Sequence, residues 1–148
     1  MQMTRLIAFL LFIFATHATA QTGQEDYRVR QENLLRLSAI FGEVHHIRRM
    51  CVPQREADIW RNRMMKLIEL EAPAATQNRA MTKAFNDGYY RARRQFNTCN
   101  RAASSYAASR ADEGERVVAA LMAPLYDSLA QEEGTLPFIQ RGGDGPQQ

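Results

Sequence analysis

The chain has 148 residues, 45% of them hydrophobic, with a formal charge of +3 and only two cysteines. That length supports one domain with one modest core. Two cysteines exclude a zinc-type cysteine cluster, and their spacing excludes a redox C-x-x-C pair.

The chain opens on a stretch with the layout of an export signal. Arg5 supplies the positive start, Leu6 to Phe14 is unbroken apolar sequence, and Ala18-Thr19-Ala20 has the small-x-small form of a cleavage site. The apolar run is too short for a stable bilayer anchor. Residue 21 is Gln, so no lipid-bearing cysteine follows the expected cut. Residues 1–20 are therefore expected to be a signal peptide cleaved after Ala20, leaving a periplasmic protein without stable membrane insertion. Nucleic acid is not an expected partner in that compartment. With Arg5 removed, the net charge falls to +2.

Residues 21–30 are polar and lack periodicity, and a disordered lead-in is expected there; the helical domain is expected over 31–130. Its first helix runs from about Gln31 to Met50. Leu37, Ile40, Phe41, Val44, Ile47 and Cys51 recur at steps of three and four and share one stripe. Arg48 falls inside that stripe. It must either pair with an acid, Glu69, Glu71 or Asp87 being candidates, or lay its stem along the core edge with its head in water. His46 points away from the stripe and is expected in water, with His45 on the flank.

Pro53 suits a turn or a helix start, and a second helix spans about Arg55 to Glu71 with Ala57, Trp60, Met64, Leu67 and Ile68 inward. Pro73 ends it. Thr76 is a candidate cap for a third helix, Gln77 to Phe96. Its stripe contains Gly88, which costs about 1 kcal/mol against Ala in a helix unless another helix approaches closely there. A fourth helix, Arg101 to about Met122, follows a break at Asn97 to Asn100, with Thr98 or Asn100 as its cap. Pro124 kinks or ends it, and residues 131–148 read as a disordered tail.

Cys51 closes the first helix and Cys99 the third, and two cysteines in an exported chain read as one disulfide. The expected fold is all-α: a small antiparallel bundle of about four helices stapled by Cys51–Cys99, monomeric or weakly dimeric.

No G-x-S-x-G elbow or Gly-rich phosphate loop is present, and Glu69 and Glu71 lie on different sides of one helix, so neither an enzyme nor a cofactor is expected. Basic residues gather in two segments, one around Arg48, Arg49 and Arg61, the other around Arg91, Arg93 and Arg94. Solvated faces that pair with each other are the plain explanation. The sharper one is a surface for an envelope protein or an anionic envelope polymer, with those six arginines as contacts. An alternative from another class is a weak metal binder or carrier: His46 and Met50 lie four apart on one helix side, Glu43 precedes them, and His45 is adjacent.

Several spaced motifs also carry a likeness to a known family. They are Arg36 to His45 (RLSAIFGEVH), Cys51, Trp60 to Met64 (WRNRM), Glu69 to Pro73 (ELEAP), and Ala84 to Tyr89 (AFNDGY) on to Cys99. Over roughly Leu34 to Leu121 the chain resembles a family of small exported alphaproteobacterial proteins of unknown function. The resemblance implies a helical periplasmic protein with a cysteine pair and supplies no activity, cofactor or catalytic residue. Asn100-Arg101 stands where the family carries Thr-Pro after its second cysteine.

Overall fold

A computed structural model describes residues 17–135, with side chains from 23 to 132. The apolar run expected to direct export, and residues 136–148 of the expected tail, lie outside the described residues. The elements are α1 (His17–Cys51), the single turn α2 (Pro53–Glu56), α3 (Ile59–Glu71), α4 (Ala75–Gln95) and α5 (Arg101–Thr135). The described chain is helical throughout apart from short connections, with no strand. The all-α bundle of four long helices closed by a Cys51–Cys99 disulfide is as the sequence predicts; the two Cα atoms are 5.1 Å apart.

Every other element packs on α1, and α4 does so most extensively. Consecutive long helices alternate in direction, so α4 runs parallel to α1. The register fixes this: Ala39 meets Gly88, Glu43 meets Arg91, and Cys51 meets Cys99. The sense of α5 is opposite: Ile47 packs on Ala103 and Ala107, Glu43 meets Arg110, and Arg30 reaches Leu121. Along α1 the core falls into three groups of residues. Leu34 packs with Met64 and Met81, then Leu37, Ile40 and Val44 with Val117, then Ile47 with Ala92, Ala103 and Ala107.

The contact of α1 with α4 is backbone against backbone. A Cβ added at Gly42 would lie 1.9 Å from the Phe85 carbonyl oxygen, and one at Gly88 would lie 2.1 Å from that of Ala39. Only residues without a side chain permit this approach, which accounts for the glycine in the middle of α4. The disulfide then locks the same two helices at their shared end. Closing a loop of this length restricts the unfolded chain by about 4 kcal/mol in the chain-entropy treatment.

The helix boundaries depart from expectation in four places. First, α1 is already helical at His17, the first described residue, and residues 21–30 are helical rather than an irregular lead-in. Ion pairs supply what periodicity lacks: Arg28 bonds Glu25 and Glu32, three and four residues away, and Arg30 bonds Glu71 at 2.8 Å. Second, the helix expected over Arg55 to Glu71 is broken by a turn at Ala57 and Asp58. Third, Ala74 rather than Thr76 precedes the first turn of α4, and no side chain caps it; Thr76 is already inside the helix. Fourth, α5 runs through Pro124 to Thr135. Pro124 removes one backbone donor, but it lies on the solvent side, where water can serve the orphaned carbonyl. Thus residues 131–135 of the expected tail are helical.

Two expectations at helix ends hold. Pro73 follows Ala72, the residue that caps the end of α3 with φ 41° and an N–H bond to the Ile68 carbonyl. Asn100 caps α5, its Oδ1 accepting from the Ala103 N–H at 3.0 Å.

Candidate functional site

Nine residues of α1 between Leu34 and Ile47 are buried, and they point in every direction around the helix. Three of them are polar: Ser38, Glu43 and His45. The helix is therefore a central post rather than a surface helix with one apolar stripe. Ser38 returns its hydroxyl proton to the Leu34 carbonyl at 2.7 Å. Glu43 and His45 define the two polar features of the interior.

Glu43 is 1% exposed and accepts from two helices at once. Arg91 of α4 donates to one oxygen at 2.5 Å, and Arg110 of α5 donates to the other. Arg110 also bonds Glu113, which in turn accepts from Arg36 at 2.7 Å. Burial would raise the Glu113 carboxyl, but Arg36 and Arg110 outweigh it and hold it below the usual range. The Tyr106 phenol is pushed up, first by burial and then by the Glu43 carboxylate. This chain of charges ties α4, α1 and α5 together. Its geometry is closed: each carboxylate is already saturated by guanidinium, which leaves none to act as an acid or base.

His45 is 4% exposed, between the Phe85 and Tyr89 rings at 5.7 and 5.8 Å. Its Nδ1 has no hydrogen-bond partner. Burial lowers its pKa, and Arg49, Arg61 and His46 push the same way, while Asp58 opposes them. His46 is not in water as expected: its Nε2–H donates to the Phe96 carbonyl at 2.8 Å, and its ring stands edge-on to Tyr89. The single-stripe reading misplaced both histidines because it allowed α1 only one neighbour.

The proposed metal ligands are thus separated by other duties. Glu43 serves two arginines, His46 a carbonyl, and Met50 packs beside the Ile47 group. Among the described residues no group of three His, Cys, Asp or Glu is arranged to hold a metal ion.

The six candidate contact arginines divide in two. Arg91 is spent on Glu43. Arg48 is half-buried, its Nε shielded from solvent without a hydrogen bond and 3.7 Å from Glu56, not from Glu69, Glu71 or Asp87. Arg49, Arg61, Arg93 and Arg94 are exposed and make no ion pair among the described residues. Arg49 and Arg93 each follow by one turn a residue of the His45–Tyr89 contact. Because α1 and α4 are parallel, the two arginines fall one turn beyond that contact, toward the disulfide end. Arg61 joins them from α3, close enough to act on the same imidazole. Three helices thus bring three uncommitted guanidinium groups to the disulfide end of the bundle.

Sequence reasoning missed Arg110 and the central part of Glu43. A signal was present: an acid one residue from the apolar stripe of the best helix requires cations from elsewhere.

A second feature is an apolar groove of about 500 Å³ between α3 and α5. Its floor is Leu37, Ile40 and Phe41 of α1, and its walls include Trp60, Val118 and Met122. Arg63 lies over the Trp60 ring, 4.3 Å from its centroid. Among the described residues no helix is long and apolar enough to cross a membrane.

No curated protein and no solved structure matches the chain. A family model does match, over residues 30–124, from the paired base of α1 and α3 to the proline in α5. Those residues include the glycine contact, the disulfide and the Glu43 network, and by that match the chain belongs to the family described as "Protein of unknown function (DUF2385)".

Proposed function

We propose that this protein is an exported, non-catalytic factor of the cell envelope that binds an acidic protein or an anionic envelope polymer. The single observation that carries this reading is the placement of Arg49, Arg61 and Arg93, from three helices, toward the disulfide end, with no acid in ion-pair distance among the described residues. Unpaired guanidinium groups on a rigid frame match carboxylate or phosphate well. The disulfide suits an oxidising compartment. The Glu43 network, whose carboxylates are each engaged by two guanidinium groups, supports a structural role for those acids.

The test is crosslinking in living cells from a photoreactive residue at position 93, with position 79 on the same helix as control. A specific adduct from position 93 is expected. It should weaken with salt and disappear when Arg49, Arg61 and Arg94 are changed to Gln. Equal adducts from both positions, or an adduct indifferent to those substitutions, would remove the arginine cluster as the contact surface.

A further inference from the structure

An exposed tyrosine stands among the uncommitted arginines, and it is braced from the interior. Tyr90, on the outer face of α4, is 50% exposed. Its ring stands perpendicular to that of Tyr89, with centroids 5.5 Å apart and planes at 86°. Tyr89 meets the His46 ring in the same manner at 5.2 Å, and His46 is tied to the Phe96 carbonyl. Two perpendicular ring contacts thus run from a helix-end carbonyl to a ring in water. Tyr27 and Tyr126 are also exposed, yet neither has a ring contact among the described residues. Arg93 and Arg94 lie one turn after Tyr90, and Asn86 and Asp87 one turn before it, all four exposed. Asp87 gives one oxygen to Lys83 at 2.6 Å.

From this juxtaposition we infer that the face of α4 around Tyr90 binds a glycan whose sugars carry negative groups, phosphate or carboxylate. The inference rests on the reading of this end of the bundle as an anion-binding surface and names its partner. An aromatic ring offers a negatively polarised face to polarised C–H groups, which a sugar ring presents on its flat sides. Bracing by Tyr89 lowers the cost of ordering Tyr90 on binding. The Asn86 amide supplies a donor and an acceptor, and the second Asp87 oxygen a further acceptor, for neighbouring hydroxyls. The guanidinium forks of Arg93 and Arg94 fit the anionic group. A bare polyanion uses neither the ring nor the amide, and Asp87 repels it. An anionic bilayer would find no aliphatic residue among these five.

Titration of the disulfide-bonded chain with oligogalacturonate, phosphorylated dextran, unmodified dextran and polyglutamate tests this. At least one charged glycan should bind about tenfold more tightly than polyglutamate, and the better of the two identifies the anionic group. Tyr90→Ala should remove that advantage, whereas Tyr90→Phe, which keeps the ring, should retain it. Because Tyr90 is half exposed, both variants should keep their helical circular dichroism and melting temperature. Charged glycans that bind no better than polyglutamate overturn the inference and leave the arginine surface standing. So does an advantage that survives Tyr90→Ala, or equal binding of unmodified dextran. Failure of every anionic probe also overturns it, and the crosslink from position 93 then decides whether the arginine surface falls as well.

Discussion

The two sides of α1 solve the same packing problem in opposite ways. Toward α4 the backbones touch through Gly42 and Gly88, and a disulfide closes the shared end. Toward α3 and α5 contact is through side chains, and the two outer helices leave a groove between them. The first side is specified by what is missing, a Cβ; the second by the size of what is present. Rigidity is thus concentrated in the α1–α4 pair, and open space on the opposite side.

The largest expected effect tests this contrast directly. Gly42→Ala should cost about 3 kcal/mol or more, because its Cβ meets carbonyl backbone that cannot turn aside. Gly114→Ala is the control on the other side: its Cβ would meet the Ile40 and Leu37 side chains at 3.4 and 3.9 Å, ordinary contact. It should be neutral or gain up to about 1 kcal/mol of helix propensity. Equal losses in urea unfolding would erase the distinction between the two sides.

Next in size is Glu43→Gln, at the link between them. It leaves Arg91 and Arg110 without their shared charge, and a loss of about 3 kcal/mol is expected. Chemical denaturation measures it; a loss below about 1 kcal/mol would show that Glu113 and solvent suffice for Arg110.

The smallest effect is a pH dependence confined to the closed side. His45 titrates below its ordinary 6.5 in the folded state, chiefly through burial. As pH falls, the unfolded chain takes up the proton first, so stability is full above about 6.5 and declines from there through the lower folded value. His45→Phe should flatten that part of the melting-temperature curve between about pH 7 and 5. An unchanged slope would assign the effect to other groups.

Much of this fold was legible in the sequence, because three-four spacing and two cysteines are local signals. Leu37, Ile40, Val44 and Ile47 announce α1, and Gly88 announces a close helix. What was not legible is how many neighbours a helix has. His45, His46 and Glu43 were read against one buried face, and all three are engaged by helices from a second direction. The arginines divide for the same reason. Arg91 looks like Arg93 in sequence, yet one points to Glu43 and the other to solvent. The extension of α1 before residue 31 was missed because exposed ion pairs leave no apolar rhythm.

The parallel course of α1 and α4 has an electrostatic consequence. Peptide dipoles in each helix sum to roughly half a negative charge at the carboxyl end. Parallel neighbours add such ends, and here the carboxyl ends of α1 and α4 meet at the disulfide, beside the amino ends of α3 and α5, whose opposite partial charge offsets part of the sum. The last turns carry Arg48 and Arg49 on α1, and Arg93 and Arg94 on α4. Part of that positive charge answers the summed helix ends, which lets so many guanidinium groups gather without driving the pair apart. An anion approaching the proposed surface would therefore meet less than the formal charge suggests, and discrimination there would rest on the geometry of the guanidinium forks more than on attraction at a distance.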